Sequence, residues 1–218
     1  MSTAIEFQPR LDHAAERQER QRLERRARQL AHLGNGWHLL EFGIALGAGI
    51  AAGSVALTSF AGDSLVEVLA ASVIVWLFGG GRGGSAQAER RAERLIAASY
   101  LLLVAYILSQ TLADLVVRAH PAPSWVGIGL ATVTAPTMPL LARAKRRVGH
   151  ALSSSATVSE AGQNQICAYL SIALLTGLLL NAALGWWWAD PAAAVVIAAF
   201  ALNEARESWH GDACDCCS

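Results

Sequence analysis

Charge is scarce in this 218-residue chain: 16% of positions are charged, against 54% that are hydrophobic, and the charges are gathered into a few segments. A soluble globule does not leave such lengths of chain uncharged, so the composition points to an all-α membrane protein. Cysteine is equally sparse. Three of the four, Cys214, Cys216 and Cys217, fall in the last five residues, which excludes a disulfide framework. There is no phosphate loop, no dinucleotide fingerprint and no nucleophile paired with a base, so neither an enzyme nor a bound cofactor is expected, and no nucleic-acid partner is expected. No apolar segment directly follows a short basic start, so a signal peptide is not expected either.

Six apolar stretches are present. Trp37 to Ser59 and Phe60 to Gly79 read as two spans in a tight hairpin, and Leu95 to Val117 as a third, preceded by the glycine-rich breaker Gly79 to Ser85 and a charged helical lead. Trp125 to Ala142 makes a fourth span, in which Pro136 and Pro139 predict a kink or an early end. Arg143 to Arg147 (RAKRR) punctuates the chain before a fifth span at Ala161 to Leu184. Trp186 to Trp188, then Asp190 and Pro191, form an interfacial corner in which Asp190 is expected to cap the sixth helix, Ala192 to Glu204. The organisation expected is a charged helix over residues 1–35, a six-helix membrane unit over 36–207 and a cysteine-rich tail over 208–218. The leading helix either lies on anionic lipid or is a solvated charged helix. Of the 17 Lys and Arg residues, all but Arg118 fall in the termini and the two even-numbered loops, which places both termini in the cytoplasm and implies a multi-pass protein of the cell membrane.

Between Phe42 and Phe78 the only charges are Asp63 and Glu67. Four residues apart, they share one face of a helix. An ionisable group at membrane depth costs about 3 kcal/mol on insertion scales and usually faces a bundle interior, a cavity or an ion path. The pair is therefore a candidate cation or proton site; a carboxyl hydrogen-bonded between helices as structural glue is the alternative. Glu41, near Asn35 and His38, reads either as a vestibule acid or as an interfacial carboxylate. Gln110, Asp114 and Asn181 sit near the outer ends of spans three and five and are candidates for a release path.

The first two spans, EFGIALGAGIAAGSVALTSFAGDSLVEVLAASVIVWLF, resemble the start of the cation diffusion facilitator transporters, whose second helix carries a D-S-x-x-D/E element; GWWWADPAAAVVIAAFALNEARESW is similar to that family's corner between helices five and six. The resemblance covers residues 37–210. It implies a six-helix bundle of the cation diffusion facilitator kind, with a tetrahedral divalent-metal site made by two acids on the second helix and a His and an Asp, four apart, on the fifth. Asp63 and Glu67 match the acids, while Gln163 stands at the His and Cys167 at the Asp. Glutamine offers a neutral carbonyl oxygen and cysteine a soft thiolate, which suits zinc or cadmium and disfavours magnesium and calcium. Taken alone, Cys167 also reads as a small buried hydrophobe. The resemblance further implies proton-coupled efflux by alternating access, with the lipid bilayer, a divalent ion and protons as partners, and a homodimer is compatible with it. Most members of that family continue into a soluble metal-binding domain, which is not expected here. The tail, GDACDCCS, reads either as a weak metal-capture segment through Cys214, Cys216 and Cys217 or as a tail with incidental thiols. A membrane metal sensor or scaffold that does not transport is the alternative function; a proton-coupled exporter of a small organic solute is a third.

Overall fold

The structure, a computed structural model, describes residues 7–79, 86–152 and 155–210. These residues form six helices, α1 (Phe7–Ala52), α2 (Val55–Gly79), α3 (Ala86–Val117), α4 (Trp125–Leu152), α5 (Ser155–Leu184) and α6 (Ala189–His210), with no strand among the described residues. The glycine-rich segment after α2 and the tail cysteines Cys214, Cys216 and Cys217 lie outside the described residues. Among the described residues, three stretches are long and apolar enough to cross a membrane: Arg94–Val117, Trp125–Leu152 and Ala161–Leu184. Large apolar side chains such as Ile50, Leu102, Val116 and Trp125 point outward from the bundle.

Helix α2 is the hub, packing against α1, α3, α5 and α6, while α4 lies along α1 and α5, and α3 pairs with α6. Its central position follows from composition. From Ser54 to Glu67 nearly every side chain is buried, whichever way it points, so this helix has no outward face over that length. Around it Leu57, Phe60, Tyr100, Ile107, Leu174 and Ile197 fill the core.

Several boundaries differ from the sequence expectation. The charged leading segment and the first span are one unbroken helix, α1, so the boundary drawn at residue 35 falls inside it. The first hairpin turns at Gly53 and Ser54, not at Ser59 and Phe60. Gly53 adopts a φ of 64° and ends α1: Ser54 N–H donates to the Gly49 carbonyl at 3.0 Å and Gly53 N–H to the Ile50 carbonyl at 3.4 Å. That left-handed position strongly favours glycine. Helix α4 runs through Pro136 and Pro139 and through RAKRR to Leu152. Its buried residues recur at helical spacing on both sides of the prolines, from Leu130 and Thr134 through Met138 and Leu141 to Lys145 and Val148, and this continuous contact face carries the helix past two residues that would otherwise end it.

All three odd-numbered turns meet at one end of the bundle. Ala122 N–H donates to the Ala52 carbonyl at 2.8 Å, and the Asn181 side-chain amide donates to the Pro121 carbonyl at 2.9 Å, which gives Asn181 a structural partner. The His120 and Trp187 rings meet with centroids 5.5 Å apart. Asp190 caps α2 from across the bundle: Ser54 Oγ donates to Oδ1 at 2.5 Å and Ala56 N–H to Oδ2 at 3.2 Å. The sequence expectation assigned that cap to α6. The start of α2 is buried and its first N–H groups have no partner within the helix, so a carboxylate from a neighbouring turn satisfies them. Asp190→Ala should therefore lower stability by about 1–2 kcal/mol, the usual worth of a helix cap. Thermal unfolding in detergent checks this, and zinc binding should be unchanged.

Candidate metal centre

The residues facing the bundle interior along α1 are Gly34, His38, Glu41, Ala45 and Gly49, steps of three or four that mark one helical face. His38 and Glu41 are carried by that face to the level of Ser64 and Glu67 on α2, Thr134 on α4, and Asn164 and Cys167 on α5. All of these side chains are buried.

His38 Nδ1 lies 2.9 Å from Glu67 Oε2 and 3.3 Å from Glu41 Oε2. His38, Glu67 and Cys167 each present a ligating atom, and the three atoms lie within 4.8 Å of one another. Tetrahedral zinc holds such ligands roughly 3.3–3.8 Å apart, so small side-chain shifts would bring these three atoms onto one ion. The two glutamates are not equivalent. Thr134 Oγ1 donates to Glu41 Oε1 at 2.7 Å, while Ser64 Oγ, at 3.1 Å, and the Cys167 thiol, at 3.8 Å, donate to Oε2. Glu67 Oε2 is within ion-pair distance of the imidazole but off the line of its N–H, and it accepts no aligned hydrogen bond. A buried carboxylate oxygen without an aligned donor is the atom best placed to take a cation. Glu41, held by two hydroxyls, is suited to fixing the ring and the thiol.

The four residues singled out by the sequence do not form one cluster. Glu67 and Cys167 belong to the group around His38. Asp63 and Gln163 line an adjoining cavity of about 10 Å³ together with Glu67, Tyr100 and Glu204, so Glu67 borders both. The sequence names His38 only as a neighbour of Glu41 and Glu204 only as the end of a span, and neither is singled out as a site residue. The signal for His38 was present: it is the histidine that lies within a span, three residues before Glu41, and positions i and i+3 share a helical face. Glu204 carried no such signal, because it sits at the end of an apolar run where a solvated acid is ordinary.

On its far side the cluster meets a buried lysine. Lys145 Nζ donates to Asn164 Oδ1 at 2.8 Å, and Asn164 Nδ2 lies 3.4 Å from His38 Nε2 and donates to Met138 Sδ at 3.2 Å. Gly34 makes the room: a Cβ there would lie 3.0 Å from the lysine nitrogen. Read as part of a basic loop, Lys145 is instead an interior residue, since α4 continues past it.

A family profile described as "Family of unknown function (DUF7942)" matches residues 85–194, just over half of the chain. The chain belongs to that family. The matched segment runs from the start of α3 to the first turn of α6 and includes Lys145, Gln163, Asn164 and Cys167. No curated protein matches the chain at a significant level.

Proposed function

We propose that this protein is a membrane transporter of a divalent, zinc-like metal ion, working by exchange with protons, and that it resembles the cation diffusion facilitators in its membrane unit. The observation that carries the reading is the buried convergence of His38, Glu67 and Cys167 at ligating distance inside a helix bundle. Zinc accepts nitrogen, oxygen and sulfur donors together, cadmium favours the sulfur more strongly, and hard ions are disfavoured by it. Support for a membrane setting comes from the three membrane-length apolar helices and the outward apolar faces. On this reading α1, α2 and α6 complete six spans, the basic ends face the cytoplasm, and the protein sits in the cell membrane.

Ligation by Cys167 requires the thiolate, and ligation by His38 requires a bare ring nitrogen, so loading the site releases protons and proton return expels the ion. Glu41 accepts the thiol hydrogen bond and is the group placed to take that proton. Asp63 and Gln163, across Glu67, are the ligands the ion meets on leaving the His38 side, which assigns the expected four residues to a path rather than to one shell.

Flux tests the reading. Purified protein in liposomes, with zinc outside and a zinc-responsive dye inside, should take up zinc faster when an opposing pH gradient is imposed. Zinc binding without flux would favour the membrane sensor or scaffold. Neither binding nor flux would remove the metal reading altogether.

A further inference from the structure

The Lys145–Asn164–His38 chain carries more information than its distances. Lysine has donors and no acceptor, so the Asn164 atom that meets Lys145 is the amide oxygen, and the NH₂ group necessarily faces His38 and Met138. An NH₂ pointing at His38 Nε2 needs a lone pair there. The ring hydrogen is thereby placed on Nδ1, between Glu41 and Glu67.

Nδ1 is also the atom that looks into the metal cluster, and a nitrogen carrying hydrogen cannot ligate. A metal-bound histidine ordinarily donates its other ring N–H to a carboxylate or carbonyl oxygen. Here that other nitrogen faces a donor. If Nδ1 turned its lone pair to an ion, Nε2–H would oppose the Asn164 NH₂ in a buried place. The conflict is relieved when the Asn164 amide turns over and offers its oxygen to Nε2–H. Its NH₂ then faces the lysine ammonium, so Lys145 must withdraw. A water admitted as Lys145 withdraws gives a hydrogen to Nε2 and is made good by the hydrogen released from Nδ1, so the ring is neutral before and after the change and Lys145 keeps its charge.

We infer that Asn164, clamped by Lys145, is a positioning residue that holds His38 in the tautomer that cannot ligate, so that loading the site requires the amide to turn over and the α4–α5 clamp to release. This rests on the metal-site reading above and adds how occupancy of that site is linked to helix contacts. Lys145 belongs to α4, Asn164 to α5 and His38 to α1; α4 packs along both of the other helices, and the Asn164 and His38 side chains meet across α5 and α1. Metal binding is thus tied to a change in packing, as alternating access requires.

Full-length protein with Cys214, Cys216 and Cys217 changed to Ser, titrated with cobalt(II) in detergent, gives a thiolate-to-cobalt absorption band that reports Cys167 ligation. Asn164→Asp keeps the size of the side chain and offers an oxygen to both neighbours, so no turnover is needed, and cobalt affinity should rise about tenfold, in the range that outer-shell partners of ligands control. Lys145→Met should also tighten binding while Asn164 is present and should have no effect in an Asn164→Leu background. Equal tightening in both backgrounds would show that Lys145 acts only as a charge, and would overturn the proposal. Nitrogen-15 spectra of histidine-labelled, metal-free protein, with the His38 signals assigned by their loss in His38→Gln, should show hydrogen on Nδ1 in the wild type and on Nε2 in Asn164→Asp. Hydrogen on Nε2 in the wild type would also overturn it. Lys145→Met, which leaves α5 untouched, supplies the affinity and spectral readouts should Asn164→Asp fail to fold. A wild-type protein with the expected tautomer and no cobalt band would sink the metal reading and leave the clamp as a hydrogen-bond arrangement alone, so the two failures are told apart.

Discussion

Glu67→Gln should abolish zinc flux and weaken zinc or cobalt binding by at least about a hundredfold. Changes to groups that merely support a metal ligand cost roughly 10–100-fold, so a direct anionic ligand should cost more. The substitution keeps volume and removes charge at the one residue that borders both the His38 cluster and the cavity beside Asp63 and Gln163. The sequence makes Asp63 and Glu67 equal partners, whereas the structure ranks them. Asp63→Asn should slow flux while leaving most of the static binding in place, because Asp63 lies outside the group of three ligating atoms. Glu67→Gln should lose both. Dye-reported flux and cobalt titration on the same preparations separate binding from passage, and normal flux in Glu67→Gln would remove the proposed site.

That ranking shows where sequence reasoning reached its limit. The existence of the helices was legible because long uncharged runs leave a chain few other options. Their ends were less so. Gly53 closes α1, yet Gly43, Gly47 and Gly49 precede it in the same run, and nothing local distinguishes Gly53 as the glycine of these four whose φ is positive. The end of α4 was misplaced for the opposite reason: RAKRR looks like a solvated loop, but the helix goes on because Lys145 is anchored inside by Asn164.

Glu67 and Cys167 could be found as polar or ligating groups at helical positions in apolar surroundings, and the structure does bring them into one cluster. What no local pattern contained was the level at which α1 crosses α5. His38 and Glu41 join Cys167 through a sequence separation of 126 for Glu41, set by how α1 and α5 both pack around α2. The adjoining cavity shows the same effect, since Glu204 reaches Asp63 and Glu67 only because α6 also lies against the hub.

Cys167→Ser tests the sulfur in that cluster and should change selectivity more than it changes the fold. Cys167 is fully buried and its neighbours tolerate a hydroxyl in place of a thiol, since the hydrogen bond to Glu41 Oε2 can be made by either. The metal chemistry is different. Cadmium is softer than zinc and gains more from a thiolate, whereas a serine hydroxyl is a harder donor and is far less readily deprotonated at neutral pH. The cadmium-to-zinc affinity ratio should therefore fall by about tenfold, equivalent to about 1.4 kcal/mol. Cys167→Asp should move preference toward zinc as well, with overall affinity kept by the new carboxylate. The experiment requires Cys214, Cys216 and Cys217 to be serine beforehand, because three thiols in the tail would bind cadmium on their own account. In that background the competing-metal titration reads the buried site alone. A ratio unchanged by Cys167→Ser would mean that the thiol fills space between α1, α2 and α5, and that any ion held there is held by His38 and the acids.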